Sequence, residues 1–191
     1  MALLNLPNLL TTLRILLIPV FLLLFYTSST IRSQWAAFIF LLASATDLLD
    51  GYMARKMEQI TRLGKLLDPI ADKLLVISAL ILLVEFQRVT AILAILLIGR
   101  EMAITGLRVI ASDHGIVIPV ERLGKFKTFL QVVAITLLIL DPSFLSALTA
   151  LGGGFDLHNL GRILLWASLI LALVSAGQYF YKFSKQIQGR Y

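Results

Sequence analysis

The chain contains no cysteine, so neither disulfides nor thiolate-bound metal can hold it together, and any metal ion must be taken by oxygen or by its two histidines. Charge is also scarce. Only 15% of its 191 residues are Asp, Glu, Lys or Arg, and acids are the rarer sign, 11 against 17 basic residues. Disordered chains, collagens, disulfide scaffolds and charged nucleic-acid-binding tails are excluded by such a composition. What takes the place of charge is hydrocarbon: 59% of the residues are hydrophobic and the mean hydropathy is +0.90. A water-soluble domain of that composition would expose too much apolar surface, so the expected fold class is an all-α membrane protein.

A helix needs about 20 apolar residues to cross a hydrocarbon core of roughly 30 Å. Six stretches qualify, at about 9–26, 35–54, 68–86, 89–111, 123–140 and 160–183, and predict six transmembrane helices in a single domain spanning 1–191. Met1 to Asn8 lacks a basic start and Arg14 interrupts the first apolar run, so that run is expected to stay as the first helix rather than to be cleaved. Arg55, Lys56, Arg62, Lys65, Arg122, Lys125, Lys127, Lys182, Lys185 and Arg190 cluster on the second and fourth connections and the C-terminus. Arg32, Arg88 and Arg162 are left for the other side, which makes the first group cytoplasmic and puts both termini there. Gly152, Gly153 and Gly154 fall in the longest outer connection and read as a flexible loop.

Ionised carboxylates inside a span cost several kcal/mol unless they are paired or bound to metal, so they mark functional sites. Asp47, Asp50, Asp68 and Asp72 flank one cytoplasmic loop. Asp47, Asp50, Gly51 and Ala54 follow the i, i+3, i+4, i+7 pattern of one helical face, and Asp68 and Asp72 are i, i+4. Counting back from Ala54, Asp50 lies roughly 6 Å and Asp47 roughly 10 Å below the boundary. The predicted hairpin thus aims four carboxylates into one pocket near the cytoplasmic face. They would repel unless cations sat between them; oxygen-only ligands suit Mg²⁺ or Mn²⁺, and a pair of divalent ions would balance all four. Gly51 and Gly64 let a bulky ligand approach the backbone, and Arg55, one turn beyond Gly51, offers a fork for phosphate. Together these describe a phosphoryl-transfer site. A structural alternative exists for Asp68 alone, since an Asp before Pro69 has the form of a helix cap.

The run Asp47-Leu-Leu-Asp50-Gly51-Tyr-Met-Ala54-Arg55, then eight residues, then Gly64-Lys-Leu-Leu-Asp68-Pro-Ile-Ala-Asp72 resembles the signature of the CDP-alcohol phosphatidyltransferase family, with all eight defining positions filled. The segments Pro7 to Arg14, Arg100 to Arg108 and Gly124 to Thr128 are similar to parts of its bacterial members that use glycerol-3-phosphate, whereas the last third of the chain resembles them only as hydrophobic helix. The resemblance implies a six-helix enzyme of the bacterial cytoplasmic membrane, commonly a homodimer, that displaces CMP from a CDP-activated lipid. Carried over by position, Asp47, Asp50, Asp68 and Asp72 are implied as metal ligands and Asp72 also as general base. Gly51, Ala54, Arg55, Gly64 and Asn8 are implied at the CDP-lipid site.

The fourth predicted helix carries a second polar stripe, with Glu101, Thr105 and Arg108 at i, i+4, i+7 and Arg100 beside them. One reading makes Glu101 and Arg108 a structural pair. The other makes Arg100, Arg108, Lys125 and Lys127 a basic pocket for an anionic acceptor, with Thr11, Arg14, Glu101 and Thr105 as structural support. On the second reading the substrates are CDP-diacylglycerol and glycerol-3-phosphate, and the partners are membrane lipids and a second copy, with no nucleic acid. Inositol phosphate or serine as acceptor is the alternative within the enzyme class; an ion transporter or a noncatalytic lipid-binding scaffold lies outside it.

Overall fold

With no water at hand, long apolar segments satisfy their own backbone only as helices or closed barrels. The computed structural model, which describes residues 6–27, 29–57, 62–113, 122–150 and 156–188, is helical, with no strand among the described residues. Its helices are α1 (Leu6–Tyr26), α2 (Thr30–Met57), α3 (Arg62–Glu85), α4 (Ala91–Asp113), α5 (Arg122–Ile139), α6 (Pro142–Ala150) and α7 (Leu157–Gln188). Six of them cover most of the six segments read from the sequence as spans. By length and apolarity, Leu157–Ile187 is the stretch of the described residues that suffices to cross a bilayer, with Thr12–Tyr26 and Phe126–Ile139 as shorter apolar helices.

Two helix starts follow from the residues that precede them. Asp141 Oδ1 accepts the Ser143 amide at 2.9 Å and the Ser143 hydroxyl, with Pro142 opening α6 at the position where its missing N–H costs nothing. Those bonds from Ser143 hold the Asp141 carboxyl below its ordinary value. Asp156 Oδ1 accepts the amides of His158 at 2.9 Å and Asn159 at 3.0 Å and so caps α7. α6 replaces part of the expected outer connection; Gly152, Gly153 and Gly154 lie outside the described residues. The capping alternative for Asp68 is overturned, because α3 starts at Arg62 and contains both Asp68 and Pro69. Leu63, Lys65, Leu66 and Leu67 are good helix formers, and they carry the helix across the proline.

α5 packs along α7, α1 against α2 and α3, and α4 against α7, while α2 and α3 touch each other and α5. The α5–α7 crossing is close because Gly161 stands in it: a Cβ there would come within 3.1 Å of the Leu138 side chain and 3.3 Å of the Ala134 carbonyl. Ser168 and Ala172, both buried, continue the small-residue stripe of α7, the device by which membrane helices approach each other. Away from the acid-bearing ends, Phe21, Phe25, Phe40 and Phe86 form an aromatic cluster with centroid separations of 5.3 to 5.9 Å. The polarity is reversed relative to a soluble domain. Leu16, Leu23, Ile92, Ile95 and Ile170 are exposed, while Arg14 and Lys127 are buried.

Candidate active site

α2 runs unbroken through Asp47, Asp50, Gly51, Ala54 and Arg55, and α3 runs unbroken through Gly64, Asp68 and Asp72. The one-turn spacings that the acids need therefore hold on both helices, which touch and are joined by the short segment 58–61. The side chains of these eight residues, like those of Asn8, Thr11 and Lys125, lie outside the described residues. The donor chemistry fits a divalent cation, with four carboxylates on two adjacent helices and no sulfur ligand in the chain.

α1 brings a guanidinium to the same region. Arg14 is wholly buried and its Nε donates to the Ala43 carbonyl at 3.3 Å, which also accepts the Thr46 hydroxyl at 2.8 Å. Ala43 stands one turn before Asp47. A buried positive charge is thereby anchored one turn from the acid-bearing part of α2.

The second polar group is built around Glu101. Its Oε2 accepts Lys127 Nζ from α5 at 2.5 Å and Arg100 Nη1 at 3.0 Å, and Arg100 Nε donates to the Ala172 carbonyl of α7 at 2.9 Å. The two cationic side chains are 5% and 9% exposed, against 42% for the carboxylate, so Glu101 neutralises two cations buried within the bundle. The Glu101–Arg108 pair, one of the two readings of the sequence, is replaced by these contacts. Arg108 is exposed and has no hydrogen-bond or ion-pair partner among the described residues. It lies seven residues further along α4, whereas Arg100 is adjacent and α5 passes the carboxylate itself.

Thr105 connects this group to the acids. Its hydroxyl donates to the Glu101 carbonyl at 2.8 Å and accepts Lys73 Nζ from α3. Lys73 follows Asp72 directly, so a side-chain bond runs from the acid-bearing helix to Thr105 on α4, one turn from the residue whose carboxylate holds Arg100 and Lys127. Sequence reasoning missed Lys73, although a signal was present: a lysine inside an apolar span needs a partner just as an aspartate does.

The chain matches the model of the family described as CDP-alcohol phosphatidyltransferase over residues 4–174. It is 42% identical over 177 residues to a Rickettsia typhi protein, covering 92% of this chain and 95% of the relative. With a Bacillus subtilis protein it shares 38% identity over 190 residues, 93% of this chain and 94% of the relative. A Pseudomonas fluorescens protein is 42% identical over 170 residues, 86% of this chain and 87% of the relative. All three relatives carry the name CDP-diacylglycerol--glycerol-3-phosphate 3-phosphatidyltransferase.

Proposed function

The chain belongs to the CDP-alcohol phosphatidyltransferase family, and we propose from that premise that it transfers the phosphatidyl group of CDP-diacylglycerol to glycerol-3-phosphate, yielding phosphatidylglycerophosphate and CMP. The observation that carries this reading is the complete eight-position signature on two unbroken, touching helices, in a chain that matches relatives of that name along nearly their whole length.

The reaction is an in-line displacement. The acceptor hydroxyl oxygen attacks the phosphorus that bears the diacylglycerol, the bond from that phosphorus to the CMP oxygen breaks, and Asp72 takes the hydroxyl proton. Asp47, Asp50, Asp68 and Asp72 hold two divalent ions, Mg²⁺ or Mn²⁺, which when bound neutralise the pyrophosphate and the charge that leaves on CMP. Arg55 pairs with phosphate, and Gly51, Ala54, Gly64 and Asn8 line the CDP-lipid site. Arg14 offsets part of the acidic charge from the α1 side. Arg100, Lys127, Arg108 and Lys125 receive the acceptor phosphate. Support for that assignment comes from Lys127 and Arg100 converging on one carboxylate, which keeps two cations in a low-dielectric place before the substrate arrives.

Six spans place the signature at the cytoplasmic face, with both termini on that side, in the bacterial inner membrane. Apolar exposed faces and the long α7 favour this arrangement. The protein works as a homodimer on this reading.

Purified protein given CDP-diacylglycerol and a panel of acceptors tests the reaction. CMP release and phosphatidylglycerophosphate are expected with glycerol-3-phosphate, and little product with glycerol, serine or inositol phosphate. Chelation should abolish turnover, Mg²⁺ or Mn²⁺ should restore it, and Asp72→Asn should nearly eliminate it. Equal use of unphosphorylated glycerol would overturn the acceptor assignment, and undiminished activity of Asp72→Asn would remove it as the base.

A further inference from the structure

At the end of the bundle remote from the signature aspartates, the connection from α3 to α4 closes on α7 around a cavity of about 460 Å³. Asp68 and Glu85 are about 26 Å apart along α3 at 1.5 Å per residue, so the cavity is separate from the signature. Gln87, Arg88, Thr90 and Arg162 supply its polar lining, and Leu165 and Trp166 belong to its apolar lining.

The two arginines differ in what they can offer. Arg88 is fixed in place: its Nη1 donates to the carbonyls of Leu138, Ile139 and Leu140 at 2.8, 2.7 and 3.1 Å, and its guanidinium lies 5.4 Å from the Phe25 ring centroid. That nitrogen is spent on the three carbonyls and the nearby Asp141 carboxylate offsets the Arg88 charge, so Arg88 shapes the cavity wall and offers no free cation. Arg162 donates through Nε to the Arg88 carbonyl at 3.3 Å, and its side chain is otherwise exposed, its remaining N–H groups having no partner among the described residues. Arg162, exposed and with donors to spare, is thus the cation that this cavity offers a ligand. On either side of it the surface turns to hydrocarbon: Ile92 and Ile95 on α4 and Ile163 and Ile170 on α7 are each at least 60% exposed.

We propose that this cavity seats the phosphate of an anionic phospholipid headgroup, with the acyl chains running along the exposed isoleucines of α4 and α7. A guanidinium fork suits a phosphate, and the adjoining apolar surface selects an amphipathic bearer of that phosphate over a free ion. The inference rests on the membrane reading of the fold but on no assignment of catalytic residues or of the acceptor.

Trp166 reports on the site directly, because the chain has only two tryptophans and Trp35→Phe leaves Trp166 alone. Full-length protein with that substitution is reconstituted in phosphatidylcholine vesicles containing a minor fraction of lipid with brominated acyl chains, which quench indole fluorescence on contact. Brominated phosphatidylglycerol should reach half-maximal quenching at a mole fraction about fivefold lower than brominated phosphatidylcholine, the enrichment that one arginine provides toward anionic lipid. Arg162→Gln should abolish that preference and Arg162→Lys should keep part of it, with CMP release unchanged in both. Equal quenching by the two lipids in the Trp35→Phe protein would overturn the proposal, as would a preference that survives Arg162→Gln. Relief of the quenching by millimolar inorganic phosphate would overturn it in favour of a free-ion site. Loss of CMP release would bear on the proposed reaction alone, since the quenching needs no turnover.

Discussion

Glu101 and Lys127 share one short bond, yet replacing them should have opposite consequences. Glu101→Gln keeps the shape and removes the charge that neutralises Lys127 and Arg100, whose side chains are 5% and 9% exposed. Breaking a buried pair by deleting one partner costs about 3–5 kcal/mol. Because the Glu101 side chain is 42% exposed, part of that cost is relieved by solvent reaching the cations from the same opening, and about 1–3 kcal/mol remains. Lys127→Met removes the cation and fills its volume with an unbranched apolar chain, leaving Glu101 with Arg100; the cost should stay below about 1 kcal/mol. Kinetics should rank the variants the other way. If Lys127 receives the acceptor phosphate, Lys127→Met raises the KM for glycerol-3-phosphate about tenfold or more with little change for CDP-diacylglycerol. Glu101→Gln should leave that KM unchanged or lower it, because the competing carboxylate is gone. Thermal unfolding in detergent and initial rates with each substrate varied in turn measure both rankings. Unchanged KM values in both variants, together with a loss of stability, would reduce the group to a structural pair and refute its role toward the acceptor.

Orientation can be read with reporter tags: one at Gln59 and one at the C-terminus should be cytoplasmic and one at Gly153 external, and an external Gln59 tag would reverse both topology and substrate access. Arg88→Met should destabilise the remote end of the bundle by about 2–4 kcal/mol, since one nitrogen with two protons serves three carbonyls at 2.7 to 3.1 Å over an aromatic ring; an unchanged unfolding temperature would show that these bonds contribute nothing.

What was legible in the sequence was whatever is local. The acids of α2 and α3 declare themselves because the signature lies within 26 residues, from Asp47 to Asp72, and helical spacing converts directly into position. α6 was written in the chain as well: Asp141-Pro142-Ser143 is a cap followed by proline, but a search for runs of bilayer length passes over a short helix. The start of α3 was misplaced for the converse reason, a proline read as a boundary where good helix formers upstream continue the helix through it. Partners distant in the chain could not be read. One reading of the sequence pairs Glu101 with Arg108 because both lie on one helix, whereas its partner Lys127 on α5 is 26 residues away and is brought in by the packing of α4 and α5 along α7.

Thr105 shows how the two halves of the site become one structure. A hydroxyl has one proton to give and lone pairs to accept with; here the proton goes to the Glu101 carbonyl and an accepted bond comes from Lys73. No apolar residue of that size can accept the bond from Lys73. Lys73 is fixed on the helix that carries Asp68 and Asp72, while Glu101 fixes Lys127 and Arg100, so the helix proposed to hold metal and base is tied through Thr105 to α4, whose backbone carries the carboxylate that holds the cations proposed to receive the acceptor. In-line displacement needs the attacking oxygen and the phosphorus held in one frame, because small misplacements of reacting atoms cost large factors in rate. A bonded path between α3 and α4, independent of the segment 86–90 that joins them, supplies such a frame from this chain's own side chains.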